Sequence, residues 1–153
     1  MFRSSALLGI SQAWAELCWL QLHGRRGVTL FQSVASFEIS AVYAAVLESS
    51  RLGCAHSSGV LSYCLVKGFG CRQSFKRALP LARASSAAGC RFGQFVMGLM
   101  HSIGNGQIDR SNARALHYFR LAASQHLDAA QCSLGDMYTT TPCSETAFFA
   151  CIA

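Results

Sequence analysis

The chain has 153 residues, 52% of them apolar and only 13% charged, with a net charge of +6. That length suits one domain with a core of its own, and a charged fraction far below the ~25% of an average soluble protein requires a large buried fraction or an interface. No run of 18 apolar residues goes uninterrupted, which excludes a membrane-spanning helix.

In chain order, residues 1–12 read as an N-terminal extension. The opening "MFRSSALLGISQAWAELCWLQL" resembles a targeting signal only superficially: Ser11, Gln12 and Glu16 interrupt its apolar part and Arg3 is its one positive charge. An intracellular, cytoplasmic location is the expectation, with an organelle as the alternative. Between Glu48 and Asp109 the sequence holds no acidic residue, while Arg51, Lys67, Arg72, Lys76, Arg77, Arg83 and Arg91 all fall there. The middle of the molecule is therefore expected to attract acidic partners in a salt-dependent way. Gly68 and Gly70 in "KGFG", and Gly104 and Gly106 in "IGNG", each follow a helical pattern, where left-handed backbone ends a helix. Asp109 or Ser111 then caps the next helix. Pro80 falls inside a predicted helix, which it should kink or split. Arg72 and Lys76 are placed on one helical face by their spacing.

The clearest pattern is "ARALHYFRLAASQHLDAAQCSLGDMY", residues 113–138. Ala115, Tyr118 and Ala122 form one stripe at helical spacing with Phe119 and Ala123 beside it, and Leu127, Ala130, Leu134, Met137 and Tyr138 form a second. The short polar joint between them makes an antiparallel helical hairpin. A shift of 37 positions lays this stretch on the one before: Arg77 on Arg114, Ala78 on Ala115, Arg83 on Arg120, Gly98 on Gly135. A further shift of 36 places Gly53 on Gly89, Cys54 on Cys90, Gly68 on Gly104 and Gly70 on Gly106. The unit is helix, tight turn, helix, glycine loop, repeated. Gly98 and Gly135 lie within helices, where glycine costs about 1 kcal/mol against alanine, so both are expected at close helix contacts.

These residues resemble the Sel-one-like repeat family, a relative of the tetratricopeptide repeat. "GNGQIDRSNARALHYFRLAASQHLDAAQCSLGDMY" follows its pattern of glycine loop, alanine and aromatic positions, turn and A-x-x-x-L-G-x-x-Y, with His126 where a turn glycine is usual and Ile108 in place of the loop valine. "AELCWLQLHGRRGV", residues 15–28, is similar to a repeat's second helix and its loop, and Gly27 to Val42 needs an insertion to stay in register. The resemblance implies an all-α, right-handed α-solenoid of stacked antiparallel hairpins over residues 13–138, about three to four repeats, clearest at 72–138, with 139–153 an irregular tail. It also implies a scaffold or adaptor that binds a protein or peptide on the solenoid's concave surface.

Catalysis finds little support: seven carboxylates and no gathered nucleophile and base give no constellation, and no cofactor is expected. "GFGCRQSFKR" lacks the strand and the Lys-Ser ending of a phosphate loop and reads as a helix-ending loop. Cys54 and His56 are the one close Cys and His pair and lack a second pair for zinc. The eight cysteines lie in apolar helical patterns without a C-x-x-C pair, so reduced structural cysteine is expected. Only Cys18, Cys64, Cys90 and Cys132 fall on helices suited to the hairpin disulfides of some cysteine-rich members of the resembled family. A thiol, disulfide or metal module of an organelle or secreted compartment is the alternative, and a non-functional truncation of a longer array the third reading. The basic row Arg72, Lys76, Arg77, Arg83, Arg114 and Arg120 is the candidate partner surface, for an acidic protein segment. No aromatic platform accompanies these charges, which argues against nucleic acid.

Overall fold

The computed structural model describes residues 35–105 and 107–140 together with helical positions 11–13, 15, 16, 18–20 and 22. Gly106, residues 141–153 of the expected 139–153 tail and the glycine loop near 24–28 lie outside the described residues, while Thr139 and Thr140, expected in that irregular tail, continue the last helix. Every described element is a helix: α1 Ala35–Arg51, α2 Ala55–Lys67, α3 Phe75–Ala87, α4 Arg91–Ile103, α5 Asn112–Ser124 and α6 Asp128–Thr140. Helix α1 has 17 residues where each of the others has 13, next to the stretch that needs an insertion to keep register.

Helices pair as α1–α2, α3–α4 and α5–α6, each pair closed by one residue with positive φ: Gly53 (+85°), Gly89 (+78°) and His126 (+59°). These are the same repeat position, and in the third turn a histidine takes a conformation that favours glycine. Between hairpins, Gly68 caps α2 with its amide on the Cys64 carbonyl, and Gly104 caps α4 with its amide on that of Met100. The chain then folds back in the same way twice: the Ser74 amide donates to the Leu65 carbonyl and the Ser111 amide to the His101 carbonyl, both at 2.9 Å. Ser74 and Ser111 are the N-caps of α3 and α5, their Oγ atoms accepting from the amides of Arg77 and Arg114. Arg72 precedes the Ser74 cap and is not helical, which corrects the shared helical face expected with Lys76.

One continuous core runs between the two layers. Helix α2 packs on α1, α3 and α4, and α4 packs on α3 and α5. Phe92, Phe119, Leu65, Met100, Val60 and Val96 are fully buried in it, with Ala78, Ala115, Ala122 and Ala130 as the small contacts that let helices approach. Leu134 and Tyr118 are half-buried against it, and Tyr138 is 37% exposed. Gly98 is a close contact: a Cβ there would lie 2.6 Å from Cδ1 and Cε1 of Phe119. Gly135 is not, since nothing lies within 4 Å of a Cβ at that position. The difference is positional. Gly98 meets the first helix of the next hairpin, and among the described residues no hairpin follows α6.

Pro80 neither ends nor splits α3, which runs through it to Ala87. The carbonyl deprived of a partner belongs to Lys76, an exposed residue of the first turn where water can serve.

The helical residues between 11 and 22 pack against α2 and α4. Trp19, 5% exposed, packs against the rings of Tyr63 on α2 and of Phe92 and Phe95 on α4, with centroids 4.9, 4.7 and 5.6 Å away. Glu16 pairs with Arg91, and the Ser11 carbonyl accepts from Ser57 Oγ. These residues thereby cover part of α2 and α4 from within the chain.

Candidate functional site

The opposite face is built by the first helices, and it carries two clefts at the same place in successive repeats. One is a hollow of about 630 Å³ between α1, α2 and α3, floored by Leu47, Leu61, Leu65, Pro80 and Leu81 and rimmed by Arg51, Lys76 and Arg77. The other, about 410 Å³, lies between α3, α4, α5 and the loop before α5, lined by Arg83, Met97, His101, Gln107, Ile108, Asp109, Arg114 and Tyr118. In the repeat register Leu47, Leu61 and Leu65 become Arg83, Met97 and His101, 36 residues on, while Arg77 and Leu81 become Arg114 and Tyr118, 37 residues on. The arginine is kept, Leu61 is matched by the apolar Met97, and Leu47, Leu65 and Leu81 give way to Arg83, His101 and Tyr118. Inside the second cleft His101 stacks on Tyr118, with centroids 5.7 Å apart and planes 8° from parallel, and its Nδ1 sits 3.4 Å from the Asp109 carbonyl.

The expected basic row divides on inspection. Lys76, Arg77, Arg83 and Arg114 all line the two clefts. The ion pairs among the described residues are Arg51 with Glu48 and Arg91 with Glu16, so none of these four is neutralised within them. Arg120 donates to the Tyr138 hydroxyl at 2.8 Å, and Arg72 stands in the loop before α3, outside both linings. Lys76 and Arg77 occupy the first turn of α3 and Arg114 that of α5, and neither turn holds an acidic residue. The positive end of each helix dipole adds to these cations, so the face presents a concentrated positive potential.

The aliphatic lining was missed from the sequence, although the signal was present: Leu61 with Met97 and Leu65 with His101 obey the same register that aligned the glycines.

Elsewhere the chemistry is quiet. The six described cysteines carry free thiols. Burial pushes Cys64 up to about 12 and raises Cys18 and Cys71, which keeps these sulfurs protonated and poorly nucleophilic. Cys54 is at the N-cap of α2 without a capping bond, and His56 sets its ring edge against Phe92 rather than joining Cys54. Among the described residues no group of three or more His, Cys, Asp or Glu is gathered to hold a metal, and no helix is long and apolar enough to cross a membrane. "GFGCRQSFKR" ends α2 and opens α3, with Gly68 and Gly70 both at positive φ.

Stacked helical hairpins with a repeating loop, cap and turn define an α-solenoid of the helical-repeat class. The model of the Sel1 repeat matches residues 51–90 and 92–127, and the chain belongs to the Sel1 repeat family. Members of that family are typically protein-interaction modules. Among solved structures the chain is similar to c5321, a protective antigen present in uropathogenic Escherichia coli strains with an SLR fold, at 24% identity and a TM-score of 0.55 over 84% of this chain and 26% of that one. It is also similar to a Sel1 repeat protein from Oxalobacter formigenes, at 19% identity and a TM-score of 0.51 over 85% of this chain and 50% of that one. The chain thus spans a quarter to a half of these proteins, and the likeness concerns the fold. No curated protein matches it.

Proposed function

We propose that the protein is a non-enzymatic scaffold or adaptor that holds a partner protein on the face of its first helices, through an acidic segment of that partner. The observation that carries this reading is the pair of repeat-equivalent clefts whose cations, Lys76, Arg77, Arg83 and Arg114, form no ion pair among the described residues and outnumber the one carboxylate of the linings, Asp109. A stiff frame with a regularly spaced row of charge suits recognition of an extended chain better than catalysis, which needs a converging constellation. Trp19 and its helix pack on α2 and α4, and both clefts lie among the first helices, so the first-helix face is the one this reading uses.

The test is a crosslinking capture from native cell extract with the full chain and with its Arg77→Glu, Arg83→Glu, Arg114→Glu form, followed by affinity measurement on the purified captured protein over a salt series. The expected result is a partner lost on charge reversal, whose affinity falls steeply with salt. A partner bound equally by both forms, with a flat salt dependence, would overturn the acidic-segment reading.

A further inference from the structure

The two clefts share a wall but differ in chemistry, and that difference specifies the ligand further than a row of charge does. Lys76, Pro80 and Arg83 fall at i, i+4 and i+7 on α3, one above the other along a single face of the helix. Pro80 borders the aliphatic cleft and Arg83 the polar one, so a chain that leaves the first hollow enters the second by crossing one helix ridge. The first hollow offers leucine side chains and a proline ring, with cations only at its rim. The second offers two arginines against one carboxylate, Asp109, with the stacked His101 and Tyr118 rings in its lining.

Resting on the reading above, we infer that the partner segment is a single extended peptide with two unlike anchors: a large aliphatic side chain seated in the hollow against Leu47, Pro80 and Leu81 and an acidic side chain held between Arg83 and Arg114. An aliphatic group in the first hollow gains by leaving water, and its flanking backbone passes under the rim of Lys76 and Arg77, which select against basic neighbours. A carboxylate in the second is drawn by two guanidinium groups while Asp109 lessens the attraction, so a single acidic side chain is matched better than a lone apolar one. The ridge between them is one helix wide, about 10 Å with side chains, and an extended chain advances ~3.3 Å per residue. The two anchors are therefore at least three residues apart, at one fixed separation. An apolar anchor supplies affinity that salt does not remove, and the acidic one supplies register and orientation.

The full chain is applied to an array of 12-residue peptides in which one large aliphatic and one acidic position are scanned through all separations, and the best peptide is then measured by fluorescence anisotropy. The expected outcome is enrichment at one separation of three residues or more. Arg114→Glu then weakens the peptide at least tenfold and flattens its salt dependence. Leu81→Ala weakens it at least tenfold with the salt dependence unchanged, and Pro80→Ser, at an exposed position outside the core, acts in the same direction if Leu81→Ala unfolds the chain. Binding that follows acidic residues alone, indifferent to Leu81 and Pro80, overturns the two-anchor inference while leaving the acidic scaffold standing. Absence of any enriched separation also overturns it. Loss of the scaffold reading itself is registered separately, by the captured protein's indifference to charge reversal.

Discussion

Replacing Gly98 by alanine isolates the contact on which the stacking of the last two hairpins depends. The new methyl would stand 2.6 Å from Cδ1 and Cε1 of Phe119 and 3.2 Å from its Cγ, well inside van der Waals contact. Phe119 is 1% exposed and lies against Phe95 at 5.7 Å, so its ring has no empty volume to turn into and α5 must move outward. Overpacking of this kind costs roughly 1–3 kcal/mol, and a shift of nearly an ångström by a buried ring belongs at the upper end. Alanine recovers about 1 kcal/mol of helix propensity, leaving a net loss of about 2 kcal/mol. For an ordered region near 100 residues this lowers Tm by about 10 °C. Thermal and denaturant unfolding of Gly98→Ala measure it directly, with Gly135→Ala as the internal control. A Cβ at Gly135 meets nothing within 4 Å, so that variant keeps its stability or gains up to about 1 kcal/mol. Phe119→Leu combined with Gly98→Ala should recover part of the loss, a coupling visible in a double-mutant cycle. If Gly98→Ala is as stable as the parent, or if Gly135→Ala is damaged equally, the close approach of α4 and α5 at this point is wrong.

Alkaline pH should weaken the fold in a window set by Cys64 and Tyr63. The Cys64 thiol, ordinarily near 9.0, is pushed up to about 12 by burial, and the Tyr63 hydroxyl rises from 10.0 to about 12 for the same reason. The folded state keeps both protons longer than the unfolded chain, so their contribution is complete below pH 9 and is lost as pH climbs toward 12, by up to ~1.4 kcal/mol per pH unit for each group. Cys64→Ala should flatten the slope between pH 9 and 10, and an unchanged slope there would show that the thiol is not responsible. His126→Gly should stabilise the third hairpin by about 0.5 kcal/mol, since left-handed backbone costs a side-chain-bearing residue ~1–2 kcal/mol and glycine's extra unfolded-state freedom offsets part of that gain; denaturant midpoints decide it. Arg77→Glu with Arg114→Glu should raise stability by about 1 kcal/mol through the two helix dipoles while abolishing capture of an acidic partner, a pair of outcomes read by melting and by pull-down on the same sample.

How much of this was legible in the sequence depended on distance along the chain. Contacts inside one repeat, and those that recur from one repeat to the next, could be read: Gly53 and Gly89 in the turns, Gly68 and Gly104 in the loops, and Ala115, Ala122 and Ala130 in the core. Each is either a local backbone requirement or a small residue at helical spacing, and the internal repetition confirmed both. Gly98 and Gly135 carry the same local signal, yet only Gly98 meets a neighbour, because the contact is supplied by another hairpin. Gly59 and Gly93 escaped notice for the converse reason. They sit where α2, α3 and α4 converge on Ser85, a crossing that no single helix announces. Trp19 was placed on a helix, but its seat among Tyr63, Phe92 and Phe95 lies more than 40 residues away and no period points to it. The arginines of the candidate surface were legible as a charge pattern. Their apolar companions were not, since Leu47, Leu65 and Leu81 look like ordinary core until the structure leaves a hollow among them.

The proposed binding face carries a conflict between local stability and sequence at two repeat-equivalent helix ends. Ser74 and Ser111 each cap a helix by accepting the amide of the residue three positions on. In a complete capping box that residue is Glu or Gln, whose side chain reaches back to the cap's own amide and whose charge suits the helix dipole. Here it is Arg77 and Arg114, and the cap amides of Ser74 and Ser111 instead donate to the Leu65 and His101 carbonyls. The fold has thus found another use for the amide, but placing a cation where the dipole is positive gains nothing in stability. Two repeat-equivalent helix starts carry the same unfavourable charge, at the rims of two equivalent clefts, in a chain with few charges. Under the proposed function, an anionic partner is the charge that would turn both breaches into gains.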